Sequence, residues 1–259
     1  MGNGFDELIE NAVMKRRTAE AMSLILEWQS AESPLPQRPI RLRGRGAALP
    51  FGLAAPPYLA TGPADQPFDF CGHVQRLSES IVSRIDDLHH IDVSRVLFSV
   101  TQSRSSRPHG LQARVTPLRF RGGELSRRHR GFEYQVQRFR VDGREMFYIM
   151  TFCLPRFLDQ DFDQKFITLF HELFHIGPEF NGDLRRHDGR YQVHTHSQKE
   201  YDERMAHLAR QYLRTDPDPE LHAFFRLNFA QLRHRHGEVV GIKVPRPKLL
   251  PMRNAARDR

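Results

Sequence analysis

The feature that most constrains this chain is the run from Ile167 to Ile176, Ile-Thr-Leu-Phe-His-Glu-Leu-Phe-His-Ile. Phe166, Leu169, Phe170, Leu173 and Phe174 recur at steps of three and four, which predicts a helix from about Phe162 that Gly177-Pro178 stops. His171, Glu172 and His175 interrupt that apolar helix with polar groups. Burying two imidazoles and a carboxylate is costly without a partner, and a metal ion is such a partner. Residues at i and i+4 lie on one helical face, so His171 and His175 can share one ion, with Glu172 beside it. Zinc brings the pKa of a bound water toward about 7, and a neighbouring glutamate can take the proton. The pattern therefore predicts zinc held by His171 and His175, with Glu172 as the catalytic base. The bland alternative is a histidine pair that edges the core through ordinary hydrogen bonds.

A catalytic zinc takes three protein ligands and keeps one position open. The extended pattern H-E-x-x-H-x-x-G-x-x-H is not met, because Pro178 and Asn181 stand at its glycine and its third histidine. A glutamate from a later helix could serve, and Glu200 and Glu203 are in place. However, Ser197 and Glu200 also read as a capping box. His187, His194 and His196, all in the loop after the helix, are the other candidates.

The segment from Phe166 to Tyr201 resembles the phage-type metallopeptidases of prokaryotes. More distantly, the helix and His187-Asp188-Gly189-Arg190-Tyr191 resemble the SprT-like (Spartan-like) zinc proteases. The glycine stands two positions past His187 rather than one, and no zinc-ribbon cysteines follow. The resemblance implies a zincin-like fold, hydrolysis of peptide bonds, and His187 as third ligand, with His194 or His196 as alternatives. Arg190 and Tyr191 are then candidates to stabilise the oxyanion, and Asp183 or Asp188 to orient a ligand imidazole. In zincins an extended substrate adds to an exposed strand edge. Leu111 to Leu118 is the candidate edge here, since Pro117 cannot donate to a ladder.

The rest of the chain sets the frame. Val74, Leu77, Ile81, Ile85 and Leu88 predict a helix over about Cys71–His89, and Val96–Thr101 a strand. Phe132 to Val141 and Met146 to Phe152 read as two strands joined at Asp142-Gly143. Gly122 to Arg130 reads as a loop. Two more helices are expected, to about Leu213 and over about Glu220–Arg235. Residues 1–32 read as an amphipathic helix, 33–67 as a Pro/Arg/Gly-rich linker, 68–236 as the catalytic domain and 237–259 as a basic disordered tail. The expected class is α+β, a zincin-like metallopeptidase domain with a small mixed sheet packed on the H-E-x-x-H helix.

Lysine and arginine number 39 against 31 acids, a formal charge of +8. That allows a nucleic-acid partner, through Arg104, Arg107, Arg114, Arg119, Arg121 and the Arg127–Arg130 cluster, or simply a solvated basic surface. A protease acting on DNA-bound protein and a non-catalytic zinc-containing binding module are therefore the two alternatives to a general peptidase acting on protein or peptide. Two cysteines, Cys71 and Cys153, cannot build a disulfide framework. No apolar run is long enough to span a bilayer, and the acidic start carries no signal-peptide pattern, so the cytoplasm is the expected compartment.

Overall fold

The computed structural model describes residues 24–28, 37–41, 59–103, 110–186 and 198–252. Its strands and helices interleave. Strands β1 (Ile25–Trp28), β2 (Gln37–Pro39) and β3 (Phe68–Asp69) lead into helix α1 (Phe70–Val82), followed by β4 (Val96–Gln102) and β5 (Ala113–Pro117). The hairpin strands β6 (Ser126–His129), β7 (Phe132–Val136), β8 (Arg138–Val141) and β9 (Arg144–Glu145) precede β10 (Tyr148–Leu154). Helices α2 (Phe162–Phe174), α3 (Gln198–Arg214) and α4 (Phe229–His236), then β11 (Val239–Ile242) and β12 (Leu249–Pro251), complete the chain. The class is mixed α+β.

The sheet that positions the site has the order β4-β10-β5. Strand β10 runs parallel to β4 and antiparallel to β5, so it is central. Its unbroken apolar sequence follows from burial on both faces. Phe98, Val100, Met150 and Phe152 point to the main core, shared with α1, α2 and α3, while Leu97 and Ile149 point to a second cluster with Trp28, Phe139 and Met146. Strand β5 is an edge, as Pro117 requires.

Helix α2 forms where its apolar period places it. Asp161 caps it by accepting from the Gln164 amide at 2.8 Å, and Phe166, Leu169, Phe170, Leu173 and Phe174 are buried. Its base is fixed by Lys165, whose buried ammonium donates to the carbonyls of Phe225 (2.9 Å) and Leu227 (2.7 Å). Helix α3 packs along α2 through Tyr201, Met205, Leu208 and Tyr212. No helix among the described residues is long and apolar enough to cross a membrane.

Several expectations need correction. Ile25–Trp28, the end of the expected N-terminal helix, is a strand parallel to β8, and Trp28 packs on Phe139 with ring centroids 5.4 Å apart; residues 1–23 lie outside the described residues. Within the expected linker, Gln37–Pro39 pairs with β11, and Ile40, Leu59 and Thr61 are buried. The expected tail carries two ordered strands. Strand β11 joins β2 and β3, and β12 joins β7. Gly241 is needed there because a Cβ would collide with the Val100 side chain. These segments are basic or proline-rich, yet their few apolar residues find partners far away in sequence. The Arg127–Arg130 stretch is also not a loop: β6 pairs with β7 across a two-residue turn, with Arg130 and Gly131 both at positive φ. Helix α1 stops at Val82, because Ile85 is extended and Asp86–Leu88 forms only a 3₁₀ turn. The last helix starts at Phe229, with an Asn228–Gln231 capping box. The chain before it, 219–226, is two 3₁₀ turns.

Candidate active site

His171 and Glu172 lie in the last turn of α2, and His175 is its C-cap residue, still helical in backbone. The shared helical face brings the two imidazoles together, with ring centroids 4.5 Å apart and planes at 74°. Both rings are partly exposed, whereas Glu172 is 7% exposed.

The edge strand meets this helix end directly. Leu118 donates to Phe147, and Cys153 to Gln112, so the even-numbered residues of this stretch bond to the β10 side. By alternation the Val115 amide faces away from β10. It donates to Glu172 Oε2 at 2.6 Å. Burial pushes the Glu172 carboxyl up to about 7, while the Val115 amide and the charge of Arg114 pull the other way. Desolvation is the stronger effect because one amide and one nearby cation do not replace full hydration.

Helix α3 supplies the opposite wall. The Tyr201 ring stands 4.8 Å from His171, edge to face, and stacks on His175 at 6.1 Å and 23°. Burial, and secondarily the charge of Glu172, pushes the Tyr201 hydroxyl well above its ordinary pKa. Asp202 Oδ1 lies 4.0 Å from His171 Nδ1. Neither residue is among the ligand candidates that the sequence offers. Glu200 and Glu203, the candidate later-helix glutamates, are exposed on α3, while Tyr201 and Asp202 border the histidines. Their only sequence signal was the inward position of Tyr201 in the helical period.

His187, His194 and His196 lie outside the described residues, as do Asp188, Arg190, Tyr191, Arg104 and Arg107. Among the described residues no group of three histidines, cysteines or acids is gathered to hold a metal ion. Asp183 is engaged elsewhere. It accepts from the amides of Gly122 (2.9 Å) and Leu184 (2.8 Å) and from Arg186 (2.9 Å), and orients no imidazole among the described residues. Arg119 is buried and paired with Glu145 rather than facing solvent. Cys71 and Cys153 are free and buried.

The donor set suits a borderline divalent cation. Two imidazoles on one helical face, a carboxylate next in sequence and a second carboxylate near one ring are groups such an ion uses directly or through its ligands. Among the described residues the pair leaves coordination to be completed from elsewhere. A model of the putative phage metallopeptidase family matches residues 71–212, more than half of the chain and the whole of this arrangement. No curated protein and no solved structure matches it.

Proposed function

The chain belongs to the phage metallopeptidase family, and from that premise we propose that it is a zinc-dependent peptidase of zincin type, with Glu172 as its general base. The observation that carries this is the placement of Glu172: buried, next in sequence to His171, and held at one oxygen by the edge-strand amide of Val115.

In this reading His171 and His175 hold the metal with a third ligand from His187, His194 or His196, His187 being preferred. When bound, zinc polarises the scissile carbonyl and acidifies a water. The chain's own residues do the rest. The Val115 hydrogen bond fixes one Glu172 oxygen and leaves the other to accept the proton from water. The raised pKa of Glu172 makes it a stronger base than an exposed carboxylate, and the proton then passes to the leaving amine. Asp202, 4.0 Å from His171 Nδ1, is the carboxylate placed to orient that ring and leave Nε2 for the ion. The Tyr201 ring packs against both imidazoles and limits their rotation. The substrate lies extended along β5 and joins the sheet by backbone hydrogen bonds.

A second reading, a peptidase working on DNA-bound protein, rests on the exposed Arg127, Arg128 and Arg130 at the β6–β7 hairpin. Binding that falls steeply with salt would support it.

The test is Glu172→Gln in the full-length protein, with metal content and cleavage of a mixed peptide pool measured together. Retained zinc with cleavage lost supports the assignment. Undiminished cleavage removes Glu172 from the reaction. A metal-loaded wild-type protein that cleaves nothing turns the assignment to a binding module.

A further inference from the structure

Beside Phe174, in the last turn of α2, lies a recess of about 510 Å³, walled by the Arg121-Gly122 turn that follows β5, by the loop over residues 177–186, and by Arg204 of α3. Its size is that of a small-ligand pocket. Four arginines border it (Arg121, Arg185, Arg186 and Arg204) against two acids, Glu179 and Asp183.

The four arginines differ in what they already hold. Arg186 is bound by Asp183, and Arg204 by Asp87 at 3.2 Å. Arg185 is bonded to no carboxylate among the described residues, though the charge of Asp87 acts on it. Its Nε donates to the Phe174 carbonyl at 2.9 Å, and its guanidinium lies 4.0 Å from the centre of the Phe174 ring. The Arg204 guanidinium lies 4.4 Å from the same ring. Arg121 also has no carboxylate partner among the described residues. Thus two guanidiniums border one recess without a carboxylate bonded to either among the described residues, although the charge of Asp87 reaches Arg185. Asp183 cannot swing over to neutralise them, since two backbone amides and Arg186 already fix it.

The recess is preorganised and tied to the site. The Tyr148 hydroxyl donates to the Asp183 carbonyl at 2.7 Å and accepts from the Gly182 amide at 3.1 Å, which fixes the loop to the central strand. Gly182, at φ 89, has no room for a side chain because a Cβ would meet Arg119. The Arg185 amide donates to the His175 carbonyl at 2.8 Å, so the arginine wall starts at the end of the histidine helix. A planar guanidinium held in place, as that of Arg185 is by the Phe174 carbonyl and ring, pairs strongly with carboxylates, often in bidentate fashion.

We infer that this recess is a specificity subsite that takes a carboxylate of the peptide substrate, an acidic side chain or the C-terminal carboxylate, within a few residues of the scissile bond. The inference rests on the peptidase reading above. A nucleic acid fits the recess less well. Duplex bases are read by elements that protrude into a groove about 12 Å wide, whereas this wall is concave.

Full-length Glu172→Gln protein, which leaves peptides intact, is titrated with fluorescent tetrapeptides and followed by anisotropy. One peptide is neutral and amidated, one carries a glutamate and is amidated, and one is neutral with a free C-terminus. At least tenfold tighter binding of a carboxylate-bearing peptide is expected, and which of the two binds tells a side chain from a chain end. Arg121→Gln, an exposed change, should reduce that preference at least threefold without altering the melting temperature. Arg185→Gln should reduce it further. Equal binding of all three peptides overturns the inference. So does competition by inorganic phosphate or a DNA oligonucleotide with no preference among the peptides. A carboxylate preference in a chain that cleaves nothing leaves the subsite standing and removes only the peptidase reading.

Discussion

Glu145 and Glu172 are both largely withdrawn from water, yet the fold treats them in opposite ways. Glu145 is clasped by Arg138, at 2.6 and 2.7 Å, and by Arg119, at 2.5 Å. These cations hold its carboxyl down to about 2. Among the described residues Glu172 has no ion pair of that kind, and burial lifts it to about 7. The difference separates two uses of a buried charge. Glu145 is saturated and joins β8 and β9 to the end of the edge strand. Glu172 is held by a single amide and keeps one oxygen available for a proton. A carboxylate poised for chemistry is one the fold has left incompletely satisfied.

Swapping each glutamate for its neutral isostere is the sharpest way to break this contrast. Glu172→Gln should lower peptide hydrolysis by about 10²–10⁴-fold, with the urea midpoint unchanged or raised, because a desolvated carboxylate is removed. Glu145→Gln should do the reverse, costing about 2–4 kcal/mol of stability by leaving two arginines without their anion, with activity per folded molecule retained. Chemical denaturation alongside a peptide assay reads both. Equal stability losses at the two positions would erase the distinction.

The pH dependence sharpens it further. The Glu145 carboxyl is depressed in the folded state, so its contribution is fully present above the unfolded value of about 4.5. That contribution is lost as pH falls from there toward about 2. Unfolding free energies measured at pH 6 and pH 3 should therefore differ by less in Glu145→Gln than in the wild type. The smallest effect is expected at Asp202, which acts through His171. Asp202→Asn should weaken metal affinity by about tenfold, the lower end for a group behind a metal ligand, with little change in folding. A competition titration against a chelator measures it, and an unchanged affinity would place Asp202 outside the site.

How legible the molecule was from sequence follows the range of the interactions. Helix α2 and its polar triad were readable because a helix writes its burial into neighbouring residues at a fixed period. The double burial of β10 and the edge position of β5 were readable for similar local reasons, an unbroken apolar run and Pro117. Strands β1, β2, β11 and β12 were not. Each has only three or four residues, and pairing rather than propensity decides its state. Gln37–Pro39 becomes a strand because Val240 to Ile242, two hundred residues later, lies beside it. The contribution of Tyr201 and Asp202 was hidden for the same reason, since the period shows that Tyr201 faces inward but not which helix it meets. The sequence does not choose among the proposed third ligands either, since His187, His194 and His196 share one polar stretch with no apolar period to tell them apart.

The claim on which the rest depends is that His171 and His175 jointly hold one ion. Elemental analysis of purified full-length wild type, His171→Ala and His175→Ala, each confirmed as folded by circular dichroism, tests it directly. One equivalent of zinc in the wild type and almost none in either variant is the expected result. A wild type without stoichiometric transition metal, or a folded variant that keeps its full equivalent, would contradict it.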